Sequence, residues 1–236
     1  MLPHEVDVHY VRESYSQPST VGRYDDAFHS ISTSAAERTL YKRYLPREGH
    51  VLDLGCGAGH GSRVLHELGF RQVTGVDVAA PMVDLATSHF AGLSGFRFAV
   101  MDLVEEELTP DHYDGAIAQH GIMPIPTFGG RVTALRNVYA SLRRGGHLVM
   151  ASFLRTRKLE NTDADFADGD TLTHTPLAAE GSLPVYIHIP DRREIQEAFR
   201  ASGFAMVEMV PFDAFGDAGA VHPSQRCMFS IGRKPA

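Results

Sequence analysis

Apolar and polar positions alternate along this chain in two rhythms. Short apolar runs read as buried strands, and most are followed by segments with helical spacing. "HVLDLGC", "QVTGVDV", "FRFAVMDL", "YDGAIAQHGI" and "GHLVMASF" are five such strands, and "FAMVEMVPF" and "RCMFSIGRK" make seven. Ser34-Ala-Ala-Glu37 has the form of a capping box and predicts a helix to about Tyr44, closed by Pro46 and Gly49. The segment after "GCGAGHGS" carries Val64, Leu65 and Leu68 and stops at Gly69; "PMVDLATSHF" opens with proline in its first turn. "RVTALRNVYASLRR" puts Leu135, Val138, Tyr139 and Leu142 on one face, and "REIQEAFRASG" is a last helix.

Strands alternating with helices predict an α/β fold, a doubly wound and mostly parallel seven-stranded sheet with helices on both faces. The final strand follows without a helix and is expected to run antiparallel. The rhythm fails in two places. Residues 1–34 are polar with interleaved aromatics and are expected to form an N-terminal cap, leaving 35–236 as the main domain. Residues 155–188 have little period and are expected to be an insertion that covers a substrate.

Ligands of doubly wound sheets sit outside the carboxyl ends of the strands. There the first strand runs into glycines at 55, 57, 59 and 61. A dinucleotide-binding spacing fails in either frame, because His60 or Ser62 stands where the third glycine belongs. No lysine is present for a phosphate-cradling loop, and Asp53 would repel a pyrophosphate while suiting a cationic cofactor. This leaves a nicotinamide oxidoreductase as a poor alternative.

"DLGCGAG" resembles the first motif of the class I S-adenosylmethionine-dependent methyltransferases. "GVDVAAPMV", "MDL", "YDGAIAQHGI", "LRRGGHLVMASF" and "HIPDRREIQEAFRASGF" resemble their later motifs, in the right order over about residues 35–234. The resemblance implies S-adenosyl-L-methionine as cofactor. Gly55, Gly57 and Gly59 would lie against its methionine portion, with Asp53 near the ammonium. Asp77 would take both ribose hydroxyls, or else be a carboxylate favoured at a helix N-terminus. Val78 and Met82 would line the adenine, with core packing the other reading of Met82. Asp102 would accept from the adenine amino group, or form a turn, with Leu103 beside it. Gln119 and His120 would end the fourth strand beside the sulfonium.

The acceptor is approached by exclusion. No Asn/Asp-Pro-Pro-Tyr follows the fourth strand, no Pro-Cys nucleophile is present, and two cysteines are too few for the cysteine-rich arsenite enzymes. A formal net charge of −7 argues against nucleic acid as the partner. The expectation is a small, flat metabolite methylated on nitrogen or oxygen, held by Tyr15, Tyr24 and Phe28, with His120 as first candidate for a base, His188 as second and His174 as a remote third. A protein that binds the cofactor without transferring its methyl, cyclase-like or regulatory, is the alternative.

Thirteen histidines are scattered without ligand spacing, so no dedicated metal is expected. Reduced cysteines, the polar start and the lack of a long apolar run lead us to expect a cytoplasmic protein off the membrane, as monomer or homodimer.

Overall fold

A computed structural model describes residues 6–29, 34–155, 170–173, 185–212 and 226–236. His174 lies outside them. The described elements run α1 (Val8–Ser16), α2 (Pro18–Ala27), α3 (Ala35–Tyr44), β1 (His50–Leu54), α4 (His60–Glu67), β2 (Gln72–Asp77), α5 (Ala80–His89), β3 (Phe96–Val100), β4 (Tyr113–Gln119), α6 (Phe128–Ser141), β5 (Leu142–Leu154), β6 (Asp170–Thr173), β7 (Val185–His188), α7 (Arg192–Ser202), β8 (Ala205–Phe212) and β9 (Arg226–Arg233).

Seven strands form one sheet in the order β3-β2-β1-β4-β5-β9-β8, parallel except for β9, which inserts antiparallel between β5 and β8. The apolar runs explain why β1 and β4 are central. Leu52 and Ala116 pair in register and are both fully buried, so no polar side chain has to be solvated there. The order reverses beside β1, where β2 lies on one side and β4 on the other, and the carboxyl ends of all three open on one edge.

One core half joins α6 and α7 to the sheet through Leu135, Val138, Ile195 and Phe199; the other joins α3 and α4 through Leu40, Tyr41, Val64 and Leu65. α7 shows how local chemistry builds this. Asp191 caps it by accepting from the Glu194 N–H at 2.8 Å, Gly203 ends it at φ 97°, and Ile195, Ala198, Phe199 and Ser202 share the buried face.

Three local features were not expected from the sequence. Residues 8–27 are two helices: Asp7 caps α1 through the Tyr10 N–H, and Pro18 opens α2 at its first turn. Their apolar residues are too sparse to give a helical stripe, but Tyr10 and Val11 reach a small cluster with Val6 and Tyr186. Leu142 begins β5, where it pairs with Tyr113, while its N–H still donates to the Val138 carbonyl as the C-cap of α6. Within 155–188, β6 and β7 form a separate two-stranded antiparallel sheet.

Phe199 is fully buried between α7 and the sheet, facing Phe204 at 5.7 Å between ring centroids. Phe199→Ala should therefore cost about 3–5 kcal/mol through lost burial and the cavity left behind. Thermal unfolding followed by circular dichroism should show the midpoint fall by about 10 °C. A fall of only a degree or two would mean that α7 contributes little to the cooperative core.

Candidate active site at the carboxyl edge of the sheet

The turn after β1 holds three glycines in the left-handed region, Gly55 at φ 59°, Gly57 at 50° and Gly59 at 90°. At Gly55 the demand is also steric: a Cβ there would sit 2.5 Å from the Gly121 Cα. A Cβ on Gly121 would lie 2.1 Å from the Leu54 carbonyl oxygen. The loops after β1 and β4 thus cross backbone against backbone. Gly121 was not among the residues expected at the site. Its signal in the sequence was a lone glycine directly after the fourth strand.

Carboxylates fix the first loop from two sides. Asp77, at the end of β2, accepts from the Gly57 N–H and the Ala79 N–H, each at 2.9 Å, one per oxygen. Each oxygen keeps a further lone pair for a ligand hydroxyl. Asp53 accepts from the Ser62 hydroxyl at 2.7 Å, which ties β1 to the first turn of α4. Its 1% exposure leaves almost no surface for the ammonium expected beside it, so its part is to order the loop.

Burial pushes the Asp53 carboxyl up to about 7, only partly offset by Ser62, and it also raises Asp77 despite that residue's backbone donors. Glu37, from α3, is buried at 4% exposure and likewise lifted to about 7 by burial. Three carboxyl groups held above their usual range surround one glycine loop. A bound cation would lower the cost of ionising them.

The N-terminal helices close over this loop. The Tyr24 ring is what a Cβ on Gly57 would meet, at 3.9 Å, and Tyr15 meets Tyr24 edge to face at 6.4 Å. Burial raises both phenols, Tyr24 to about 12, and the Asp77 charge adds to the shift in each. Tyr15 and Tyr24 are therefore grouped around Asp77. Arg12 of α1 approaches Asp102 at 3.7 Å. The other Asp102 oxygen accepts from the Val104 N–H at 2.9 Å, the turn-forming role, and Leu103 is core.

Val78 packs beside the Tyr10 and Val11 cluster, and Met82 is 1% exposed, which supports core packing for it. Phe28 is 5% exposed, stacked on His89 at 3.8 Å and packed with Ala58 and Phe90, so it anchors α2.

At the end of β4, Gln119 donates its amide N–H to Glu37. The next residue, His120, has φ 59°, its ring against Phe153 at 4.6 Å and its Nδ1 3.3 Å from the Met123 sulfur. Burial lowers its pKa to about 4, so the ring is neutral near pH 7. His60, at the start of α4, is also lowered to about 4, by burial first and then by Arg63, with a smaller contribution from His120. Neither Glu37 nor His60 was singled out from the sequence; Glu37 was read only as a capping residue.

His188 lies in a buried polar group. It is 3% exposed, with Nε2 2.7 Å from a Glu194 oxygen that Arg131 also meets at 2.9 Å. Burial alone would raise Glu194, but His188 and Arg131 together hold it below its usual value. This ion-paired group joins β7, α6 and α7 beneath the surface, which suits a structural residue and not a base.

Residues 51–146 match a methyltransferase domain. An O-methyltransferase, resE, of Aspergillus sclerotiorum is 28% identical over 185 residues, covering 75% of this chain and 63% of that protein. The chain therefore spans less than two thirds of the length of that curated relative. A methyltransferase structure from Methanosarcina mazei superposes with a TM-score of 0.70 at 20% identity, covering 83% of this chain and 97% of that one. A Burkholderia thailandensis 1,6-didemethyltoxoflavin-N1-methyltransferase, solved with its substrate and S-adenosylhomocysteine, gives 0.62 at 19% identity, covering 92% and 88%.

Residues 51–146 are thus similar to a methyltransferase domain, on a fold shared with S-adenosylmethionine-dependent methyltransferase structures.

The cofactor of class I methyltransferases is S-adenosylmethionine, and the site fits it on its own chemistry. A Cβ on Gly57 would meet nothing nearer than the Tyr24 ring at 3.9 Å, Asp77 has lone pairs left for hydroxyls, and the raised carboxyl groups suit a cation. Among the described residues no group of three or more His, Cys, Asp and Glu could hold a metal ion. No helix among them is long and apolar enough to cross a membrane.

The backbone crossing gives a direct test. Gly121→Ala should force the two loops of the methyltransferase site apart, costing about 1–3 kcal/mol as overpacking does and weakening S-adenosylhomocysteine binding in calorimetry. Unchanged binding and an unchanged melting midpoint would show that the crossing does not position the site.

Proposed function

We propose that this chain transfers a methyl group from S-adenosylmethionine to a nitrogen or oxygen of a small, flat metabolite. The observation that carries the reading is the assembly at one sheet edge of a bare glycine loop, the Asp77 tether and the neutral His120. The O-methyltransferase relative and the N-methyltransferase structural neighbour support the two acceptor atoms equally.

Bound S-adenosylmethionine supplies a methyl carbon already attached to a good leaving group, so the protein's work is alignment and exclusion of water. Asp77 fixes the loop and offers its remaining lone pairs to hydroxyls. Tyr15 and Tyr24, on helices that act as a cap, keep water from Asp77 and from the Gly57 backbone. His120 accepts a hydrogen bond and orients an acceptor N–H or O–H. With its pKa near 4 it is a weak proton acceptor at neutral pH, so it contributes orientation more than base strength.

Asp77→Ala should weaken S-adenosylhomocysteine binding about tenfold or more, since two charge-assisted hydrogen bonds are lost. His120→Ala should lower kcat/KM about tenfold, well short of the 10²–10⁴ carried by an efficient general base. The measurement is calorimetric titration with S-adenosylhomocysteine, with NADH as control, then mass detection of methylated products from a panel of phenols and heteroaromatic amines. Cofactor binding with no product from any acceptor would favour a cyclase-like or regulatory protein. Binding of NADH alone would overturn the reading.

A further inference from the structure

Glu37 occupies the third position of α3, where a capping box would place it. Ser34 does its half, accepting from the Glu37 N–H at 3.0 Å. The Glu37 carboxyl group instead turns into the protein, to 4% exposure, and meets Gln119 at the end of β4. The fully buried Tyr41, one turn along α3, faces the same carboxyl group and favours its ionised form.

An ionised carboxylate only accepts hydrogen bonds, so the group of Gln119 that faces it must be the NH2. The Gln119 carbonyl oxygen must then face the other way. We propose that Glu37 is a positioning residue: it holds the Gln119 amide so that the carbonyl oxygen, and not the NH2, faces the cofactor-and-acceptor space beyond β4. This rests on the methyltransferase reading above. A carbonyl oxygen there attracts a cationic cofactor and accepts from an acceptor N–H or O–H. An NH2 would do neither.

The arrangement depends on protonation. A protonated Glu37 can donate to the Gln119 carbonyl, and the amide is free to turn over. The groups that face Glu37 are Tyr41 and Arg38 on its own helix, Asp53 on β1 and Gln119 on β4. Burial lifts the carboxyl most and Asp53 lifts it further, while Tyr41, Gln119 and Arg38 pull it down, leaving it near 7. Because the ionised form orients the amide, cofactor affinity should rise with pH through this range. Asp53 titrates in the same window, so wild type alone would not isolate Glu37.

The test is calorimetric titration with S-adenosylhomocysteine between about pH 6 and pH 8 for wild type, Glu37→Gln, Gln119→Leu and the double variant. A glutamine at 37 satisfies Gln119 in either orientation and does not titrate. The ratio of wild-type to Glu37→Gln affinity should therefore rise from about one to about two across the window, as the competent orientation goes from one of two to the sole one. In the Gln119→Leu background, removing Glu37 should leave affinity unchanged at both ends. A ratio that stays flat with pH, or a Glu37→Gln effect that persists without Gln119, overturns the proposal. The second outcome would assign Glu37 a direct charge effect.

Tyr41→Phe supplies an independent check should Glu37→Gln fail to fold. Loss of a hydroxyl that stabilises the ionised carboxylate should move the pH midpoint upward, and a downward or absent shift counts against the mechanism. Wild-type protein that binds no S-adenosylhomocysteine at any pH overturns both this proposal and the methyltransferase reading. A wild type that binds it with a pH-independent ratio overturns this proposal alone.

Discussion

The site depends on two backbone segments passing with no side chain between them. Gly55 and Gly121 meet so closely that a Cβ on either would lie within 2.5 Å of the other strand's backbone. That contact brings the ends of β1 and β4 together, and with them the Asp77 tether on one side and Gln119 and His120 on the other. A left-handed φ at Gly55 and at His120 follows from the same crossing, since both chains must turn sharply as they leave the sheet. His120 carries that conformation without being glycine, which costs of order 1–3 kcal/mol and persists only where the surroundings impose it. Here the Phe153 ring and the backbone bond from His120 N–H to the Ala151 carbonyl at 3.0 Å do so.

Charge gives the second constraint. Glu37 and Asp53 are buried and Asp77 is half-buried near one loop, and each is held above its usual carboxyl range. For a group whose folded pKa is raised, the stabilising proton is present below the unfolded value and is lost as pH rises through the folded one. For Glu37 and Asp53 that window runs from about 4 to about 7, so at neutral pH the free protein bears the cost of partly ionised buried groups. A cationic ligand offsets that cost when it binds. The site is thus less stable than an apolar packing would be, and the deficit is part of its affinity for a positive charge.

The sheet was legible because its strands are buried on both faces and read as continuous apolar runs; the order of the motifs then located the glycine loop and Asp77. What was not legible was the direction in which a side chain turns. Ser34-x-x-Glu37 has the form of a capping box, yet only the serine half is used as one, because the half-buried amide at 119 on β4 competes for the carboxylate. Phe28 and His188 read as ligand-facing from composition and position, but each found a closer partner, His89 for one and Glu194 for the other. The helices at 8–27 were missed because their few apolar positions are divided between two packing surfaces, so no helical stripe forms on either.

These misreadings share a cause that bears on function. A motif records which residue types a cofactor needs near it, and the glycines and Asp77 are set by that need in the first 80 residues of the chain. The orientation of Gln119 is set by Glu37, a residue 82 positions away that no cofactor motif includes. Residues that touch a ligand can be found by pattern, whereas residues that aim them emerge only when helix and sheet are packed. The tuning of this site therefore lies where α3 crosses β1 and β4. Substitutions there would alter how the cofactor is held while leaving every recognisable motif intact.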